Sequence, residues 1–312
     1  MAANSNLHKA KNAKNDEFYT QLTDVEKELM HYKEHFKDKV VFCNCDDPTW
    51  SAFWEYFHKK FDFLGLKKLI ATHYDKTEPT YKMEYEGGND NNVEAGANTP
   101  LEENGDFRSA ECIELLKESD IIVTNPPFSI AREYYIPLLY EYNKNFLIIG
   151  DLNWINYKHI FPLLRDNKMW LGCTSVKEFK QPDGTMKKFG NKLWFTNLDH
   201  KKRHEKLVLW KTYNPDDYPV YVNCDAINVD KVSNIPVDYD GVMGVPISFM
   251  NVYNPDQFEI VGFDQTDRKP IQECGLPKGT YTPSGSRLYI KESDEWYKMC
   301  YARILIRRRK DS

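Results

Sequence analysis

The stretch Ser119-Asp120-Ile121-Ile122-Val123-Thr124-Asn125-Pro126-Pro127-Phe128 brings together residue types that can do chemistry. A run of β-branched residues leads into Asn-Pro-Pro, so a buried strand must stop there. Proline cannot donate to a sheet ladder and holds its own φ at about −65°. The residue before each proline is also driven out of the helical region. The stiff corner offers the Asn125 side-chain oxygen, the Pro126 carbonyl and the Phe128 ring at a strand's carboxyl end, where open α/β sheets bind ligands. An exocyclic amine on an aromatic base is a poor nucleophile, because its lone pair is delocalised into the ring. Two prearranged acceptors can draw its N–H bonds aside and localise that pair toward an electrophile. Phe128 can stack on the base, an interaction of about 1–3 kcal/mol. Taken alone, Asn125, Pro126, Pro127 and Phe128 equally make a rigid turn after a core strand, and both readings stand.

The elements that must carry such a corner follow in chain order. Residues 1–15 are polar and basic, and Asp16-Glu17-Phe18-Tyr19-Thr20-Gln21 comes next. A helix is expected over Val25 to Phe36, with Thr23 as N-cap and Glu26 completing a capping box. His31-Tyr32-Lys33-Glu34-His35 matches an inverted zinc-protease pattern. Five residues match easily by chance and no third ligand is evident, so no metal site is expected. Val40 to Cys45 reads as a first strand that breaks at Asp46-Asp47-Pro48 before an aromatic helix, Trp50 to Phe61. Strand, acidic turn and helix N-terminus together form the usual cradle for a nucleoside cofactor, here without its glycines. Leu66 to Tyr74 reads as a second strand, whose end (His73, Tyr74 or Asp75) lies where a ribose is commonly held.

Residues 76–104 look like a surface excursion or hairpin. Asp106 precedes the helix Ala110 to Lys117; it suits an adenine amino group as acceptor and equally suits a helix N-terminus. Further on, a helix near Ile130 to Tyr142, a strand Phe146 to Gly150 and a helix around Tyr157 to Asp166 continue the alternation. Trp170 to Cys173 and Lys192 to Thr196 read as final strands, with Gln181-Pro182-Asp183-Gly184 as a turn. This order predicts an α/β, doubly wound, mostly parallel sheet. Beyond about residue 212, prolines and tyrosines dominate, and a smaller irregular α+β region is expected.

Composition bounds the function. The net charge is −5, with 41% apolar and 14% aromatic residues, which argues against a generic nucleic-acid coat but leaves room for a local basic groove. Lys201-Lys202-Arg203 and the tail from Arg303 to Lys310 could line one, or could be a solvated face and a loose terminus. Seven scattered cysteines without a CxxC pair, no secretory signal and no spanning apolar run predict a reduced, cytoplasmic protein.

With these pieces in order, the chain resembles the EcoRI-type adenine-specific DNA methyltransferases. The likeness rests on Asp16 to Gln21, Val40 to Pro48, Gly105 to Ser109, Asp120 to Phe128, Leu147 to Gly150, Leu193 to Leu198, Asp225 to Val229, Gly241 to Phe249 and Arg303 to Ile306. It implies a Rossmann-like methyltransferase sheet with an antiparallel edge strand, a catalytic domain at 1–212 and a target-recognition region at 213–312. The implied reaction moves a methyl group from S-adenosyl-L-methionine to N6 of a flipped-out adenine in double-stranded DNA, as in restriction-modification systems, with S-adenosyl-L-homocysteine as product. A prokaryotic or phage origin is expected, with no membrane, no metal and no obligate protein partner. Tyr19 and Thr20 would meet the methionine end of the cofactor; Asn44, Asp46, Asp47 and Pro48 would form its turn. His73 or Tyr74 would approach the ribose, and Asp106 with Phe107 would hold the cofactor adenine. Asn125, Pro126 and Phe128 would hold the target adenine. Rival readings are an amino-methyltransferase acting on RNA guanine N2 or protein glutamine, and a non-catalytic nucleic-acid-binding module.

Overall fold

A computed structural model describes residues 18–75, 78–88, 96–131, 135–181, 183–281 and 287–310. Residues 1–15 and the expected motif members Asp16 and Glu17 lie outside the described residues. The chain divides into two compact units: residues 1–154 with 169–200, and residues 155–168 with 201–312. The first unit thus closes at residue 200, and the segment 155–168 joins the second.

The first unit runs α1 (Leu22–Leu29), β1 (Val40–Cys43), α2 (Ala52–Lys59), β2 (Lys68–His73), β3 (Tyr81–Tyr85), β4 (Ala97–Pro100), α3 (Ala110–Glu118), β5 (Ile121–Thr124), α4 (Ile136–Glu141) and β6 (Asn145–Asp151). It ends with β7 (Trp170–Lys180) and β8 (Met186–Thr196). All eight strands form one sheet in the order β4-β3-β2-β1-β5-β6-β8-β7. Its centre, β2-β1-β5-β6, is parallel. β1 and β5 are buried along their whole lengths, as their continuous apolar runs require of strands covered on both faces.

The sheet carries more antiparallel structure than the single edge strand expected. β3 adds antiparallel to β2 and β4 antiparallel to β3, and β8 adds antiparallel to β6 and β7 antiparallel to β8. Within the expected excursion 76–104, β3 and β4 thus extend the sheet as an antiparallel pair. The long β7–β8 ribbon turns at Gln181–Gly184, where the Gly184 amide donates to the Gln181 carbonyl over 2.9 Å.

Local chemistry sets the helix ends. Ser51 caps α2, its hydroxyl accepting from the amides of Phe53 and Trp54. Ser109 caps α3 in the same way, accepting from Cys112. The expected N-terminal helix is less regular than its apolar period suggests. α1 begins after Gln21, with no side-chain cap from Thr23, and passes through a 3₁₀ turn at Met30–Tyr32 into a last α-helical turn at Lys33–Phe36. The 130–142 segment gives only α4 as regular α-helix among its described residues.

α1 is pinned by an unexpected group. Glu28 is fully buried and accepts from the amides of Cys173 and Thr174 at 2.7 Å each, from the Thr174 hydroxyl at 2.6 Å and from the Tyr32 hydroxyl at 2.8 Å. The carboxyl occupies the space beside Gly172, where a Cβ would lie 2.3 Å from Glu28 Oε1.

The second unit contains α5 (Phe161–Arg165) and the strands β9 (Ile227–Asn228), β10 (Met243–Pro246), β11 (Phe258–Phe263), β12 (Tyr289–Lys291), β13 (Tyr297–Met299) and β14 (Arg303–Arg308). Four of these form a sheet ordered β11-β14-β10-β9, and β12 pairs with β13. The basic tail is therefore an interior strand rather than a loose terminus, with Ile304, Leu305 and Ile306 in the core. Its arginines are engaged: Arg307 pairs with Glu259 at 2.9 Å, Arg308 donates to the Val237 carbonyl and Arg309 donates to the Pro255 carbonyl at 2.7 Å. Buried Asp264 accepts from Arg287 at 3.1 Å and from the Arg303 amide at 3.0 Å. Burial raises its pKa despite Arg287. Among the described residues, no helix is long and apolar enough to cross a membrane.

Candidate active site

The site is built where β1, β2 and β5 end. The parallel register sets Phe42 of β1 beside both Ile70 and Ile122, so the turns after these strands emerge side by side, as open α/β sheets require for a ligand crevice. A single carboxyl ties two of these turns together. Asp46, in the turn after β1, is buried and accepts from the Thr124 hydroxyl at the end of β5 and from the Asn125 amide at 3.2 Å. Burial pushes its carboxyl up to about 7, although hydrogen bonds from Thr124, Asn125 and Ser51 favour the ionised form. Asp46 thus braces the Asn-Pro-Pro corner as well as belonging to the turn expected to meet a cofactor.

The corner itself is asymmetric. The Asn125 Nδ2 donates to the Phe18 backbone carbonyl over 2.5 Å. The Asn125 Oδ1 is buried and has no hydrogen-bond partner. The Pro127 carbonyl accepts from the amides of Ile130 and Ala131, both at 3.1 Å, so it serves the following turn rather than a substrate. Among the described residues, no donor bonds the Pro126 carbonyl. An acceptor without a donor inside a protein is costly, on the order of 1–3 kcal/mol, and marks a place for a ligand N–H.

Phe128 sits in an aromatic cluster. Its ring stacks on Phe18 at 5.8 Å between centroids with the planes 18° apart, and meets Phe179 and Phe189 edge-on. The Lys192 Nζ stands 3.7 Å from the Phe128 ring centroid and 3.1 Å from Asp151 Oδ2. Asn191 Nδ2 donates to both Asp151 oxygens, at 2.9 and 2.8 Å. A base stacking on Phe128 takes the place of one of these neighbours.

The remaining predicted residues form two groups. Asn44 is buried; its Oδ1 accepts from the Tyr135 hydroxyl, while its Nδ2 has no partner. Tyr135 in turn meets Phe107 edge-on at 5.2 Å, so Asn44 and Phe107 share one neighbour. The second group surrounds Asp47, whose carboxyl accepts from Thr49 at 2.7 Å and from Tyr81 at 3.3 Å and lies 2.6 Å from His73 Nδ1. His73 stacks on Tyr81. Pro48 is buried beside this turn, and Tyr74 is exposed. Gly105 has φ of +71° and passes so close to β2's end that a Cβ would lie 2.3 Å from the His73 carbonyl oxygen; only glycine fits there.

Two predicted residues have other partners here. Asp106 is held by its neighbour Arg108, at 2.7 Å from Nε and 2.5 Å from the second nitrogen. Burial works against its ionised form, but Arg108 outweighs it and the pKa is lowered. Tyr19 pairs with Lys180 of β7 as a short β-bridge and packs its ring 4.0 Å from that of Trp50. Thr20, next to it, is buried with its hydroxyl unpartnered.

Sequence reasoning missed Phe18, Tyr135, Asp151 and Lys192. Phe18 adjoins the predicted Tyr19 and Thr20, which was its only signal. Tyr135 and Lys192 carry none, since an aromatic after a strand and a lysine within one are commonplace. The helical histidines do not assemble a metal site. His35 Nε2 bonds the Asp199 carbonyl at 2.8 Å, and among the described residues no group of three or more His, Cys, Asp or Glu is placed to hold an ion.

Comparison with known proteins gives this geometry its context. The family described as "Adenine-specific methyltransferase EcoRI" matches residues 6–309. Type II methyltransferase M.EcoRI of Escherichia coli is 46% identical over 307 residues, covering 88% of this chain and 93% of its own. Type II methyltransferases M.MgeORF184P of Mycoplasma genitalium and M.MpnI of Mycoplasma pneumoniae are each 38% identical over 276 residues, 82% of this chain and 85% and 84% of theirs. No solved structure matches. A match over nearly the whole length, at this identity, means that the chain belongs to the adenine-specific methyltransferase EcoRI family.

Proposed function

We propose that this site-specific DNA adenine methyltransferase uses Asn125 Oδ1 and the Pro126 carbonyl to hold the N6 amine of an adenine rotated out of the duplex. The activity follows from family membership; RNA guanine, protein glutamine and an idle binding module find no support there. The observation that carries the residue roles is the orphaned Asn125 Oδ1, buried at a proline-stiffened strand end while its amide nitrogen is tied to Phe18. Extruding the base costs a few kcal/mol, roughly, and the two oxygens act by accepting hydrogen bonds from the amine's N–H groups as positive charge develops on its nitrogen. Fixing the amine at one place supplies much of the remaining acceleration.

The cofactor of this reading is S-adenosyl-L-methionine, and the residues fit it. Two predicted neighbours, Thr20 and Asn44, carry buried polar atoms with no partner in the protein, the kind of hydroxyl and amide groups that a polar nucleoside with an amino-acid end needs. When bound, the cofactor supplies an electrophilic methyl carbon on a sulfonium. Thr20 and Tyr19 would hold its amino-acid end, Asn44, Asp47 and Pro48 its turn, His73 or Tyr74 the ribose and Phe107 the adenine. Asp106 would join Phe107 through the acceptor capacity that Arg108 leaves on its second oxygen. The Rossmann-like methyltransferase assignment of the sheet, and a recognition role for the second unit, belong to the same reading. The partner is double-stranded DNA.

Asn125→Ala is expected to abolish methyl transfer to duplex DNA, with cofactor affinity by calorimetry close to that of the parent protein. Full activity in that variant overturns the assignment.

A further inference from the structure

Residue 125 has two ends, and the protein uses only one. The nitrogen is held by a backbone carbonyl at 2.5 Å, and the oxygen is left buried and unpaired. An isolated carboxamide can turn over, exchanging oxygen for nitrogen with little change in shape. Turned over, Asn125 would set its oxygen against the Phe18 carbonyl oxygen and point two N–H donors at an amine that itself needs acceptors. Two oxygens in contact away from water repel each other, and each forfeits a hydrogen bond. The Phe18 carbonyl is itself fixed from outside the corner. Tyr19, the next residue, is locked to β7 through its amide on the Lys180 carbonyl at 2.8 Å and its carbonyl on the Lys180 amide at 3.0 Å.

We propose that the Phe18 backbone carbonyl is the positioning group of this site: it holds the Asn125 amide in the one orientation that offers Oδ1 to the substrate amine, and so demands a hydrogen-bond donor at position 125. The inference rests on the reading of Asn125 as the acceptor for that amine. It makes residue 125 a position where an amide works and a carboxylate of the same shape does not. In Asn125→Asp, the ionised side chain would face the Phe18 oxygen with negative charge. Protonating that carboxylate restores the original arrangement, because the new O–H donates to Phe18 and the other oxygen remains free for the amine.

Charged groups around the corner come from three elements. Asp46, in the β1 turn, accepts from the residue 125 amide. Lys187 of β8 lies 4.9 Å from the Phe18 ring centroid, and Lys192 of the same strand lies 3.7 Å from that of Phe128. Asp151 of β6 pairs with Lys192. Asp46 and the Phe18 oxygen oppose ionisation of a carboxyl placed at position 125, and the two lysines favour it from behind aromatic rings.

The test is the pH profile of Asn125→Asp, taken as its rate of labelled methyl transfer to duplex DNA divided by that of the parent protein at each pH. Groups away from position 125 that titrate in both proteins largely cancel in this ratio. The ratio is expected to rise about tenfold for each unit of pH decrease while the new carboxyl remains ionised. A flat ratio, or parental activity at alkaline pH, overturns the inference. A readout that needs no variant is the hydrogen bond itself. In protein labelled with ¹⁵N-asparagine and ¹³C-carbonyl phenylalanine, a through-bond coupling between Asn125 Nδ2 and the Phe18 carbonyl is expected, and its absence overturns the proposal. Activity in Asn125→Ala would instead defeat the reading of the site. A dead Ala variant with a flat Asp profile defeats only the role of Phe18.

Discussion

Asp46 shows what one buried proton can do. Its pKa is about 7 when folded, against an ordinary value of 3.8, so near neutral pH the folded protein keeps a proton that the unfolded chain has released. Its contribution to stability is complete below about pH 4, falls as pH rises through about 7, and then levels off; the total change is at most about 4 kcal/mol. Asp46→Asn is expected to flatten that part of the stability profile, read as denaturant midpoints on the acid and alkaline sides of the transition. An unchanged slope would mean that Asp46 is ionised throughout. At this scale the sequence was most readable where chemistry is local. The Asn-Pro-Pro-Phe corner announces itself because proline restricts its own backbone and its neighbour's. The Phe18 carbonyl did not, because a main-chain oxygen has no residue type, and this one arrives from 107 positions away.

Among the elements, α1 depends on Glu28 as well as on its apolar stripe. In sequence Glu28 looks like one more charge in Glu26-Lys27-Glu28; in the fold it satisfies two backbone amides and two hydroxyls. Glu28→Ala leaves these donors buried and unpaired, and is expected to lower stability by about 3 kcal/mol, measured by urea unfolding. Glu28→Gln, which keeps one acceptor oxygen, should lose less; equal losses would point to packing instead. The parallel centre of the sheet was readable from its continuous apolar runs. The β3–β4 hairpin and the full length of β7 and β8 were harder to see, because half-exposed strands rich in Lys, Glu and Asn have the composition of loops. The capping box expected at Thr23 and Glu26 did not form, since the chain before α1 is extended along β7 and Gln21 takes the cap position.

For the whole molecule, the two units are expected to unfold as two events, to be read as non-coincident urea transitions. Ile304 is fully buried in β14, which stands between β11 and β10. Ile304→Ala is expected to cost about 2–4 kcal/mol in the second unit. In a urea titration, duplex-DNA binding should then fail at a lower concentration than cofactor binding, and coincident losses would contradict the division of labour proposed for the units. The change of character near residue 212 was legible as prolines and tyrosines. The contribution of residues 155–168 to the second unit was not, because a helical segment between two strands reads as one more crossover. Nor was the interior place of the tail, whose arginines mask the three apolar residues of β14.

The bridge between Tyr19 and Lys180 also bears on the order in which a newly made chain becomes competent. Joining partners so far apart demands a large loss of chain freedom, and such pairings form late. The strand ends that surround Asn44 and Asp46 are assembled from nearer neighbours. In refolding, cofactor binding is therefore expected to return no later than methylation, because the amide at 125 takes its orientation only once this bridge has closed.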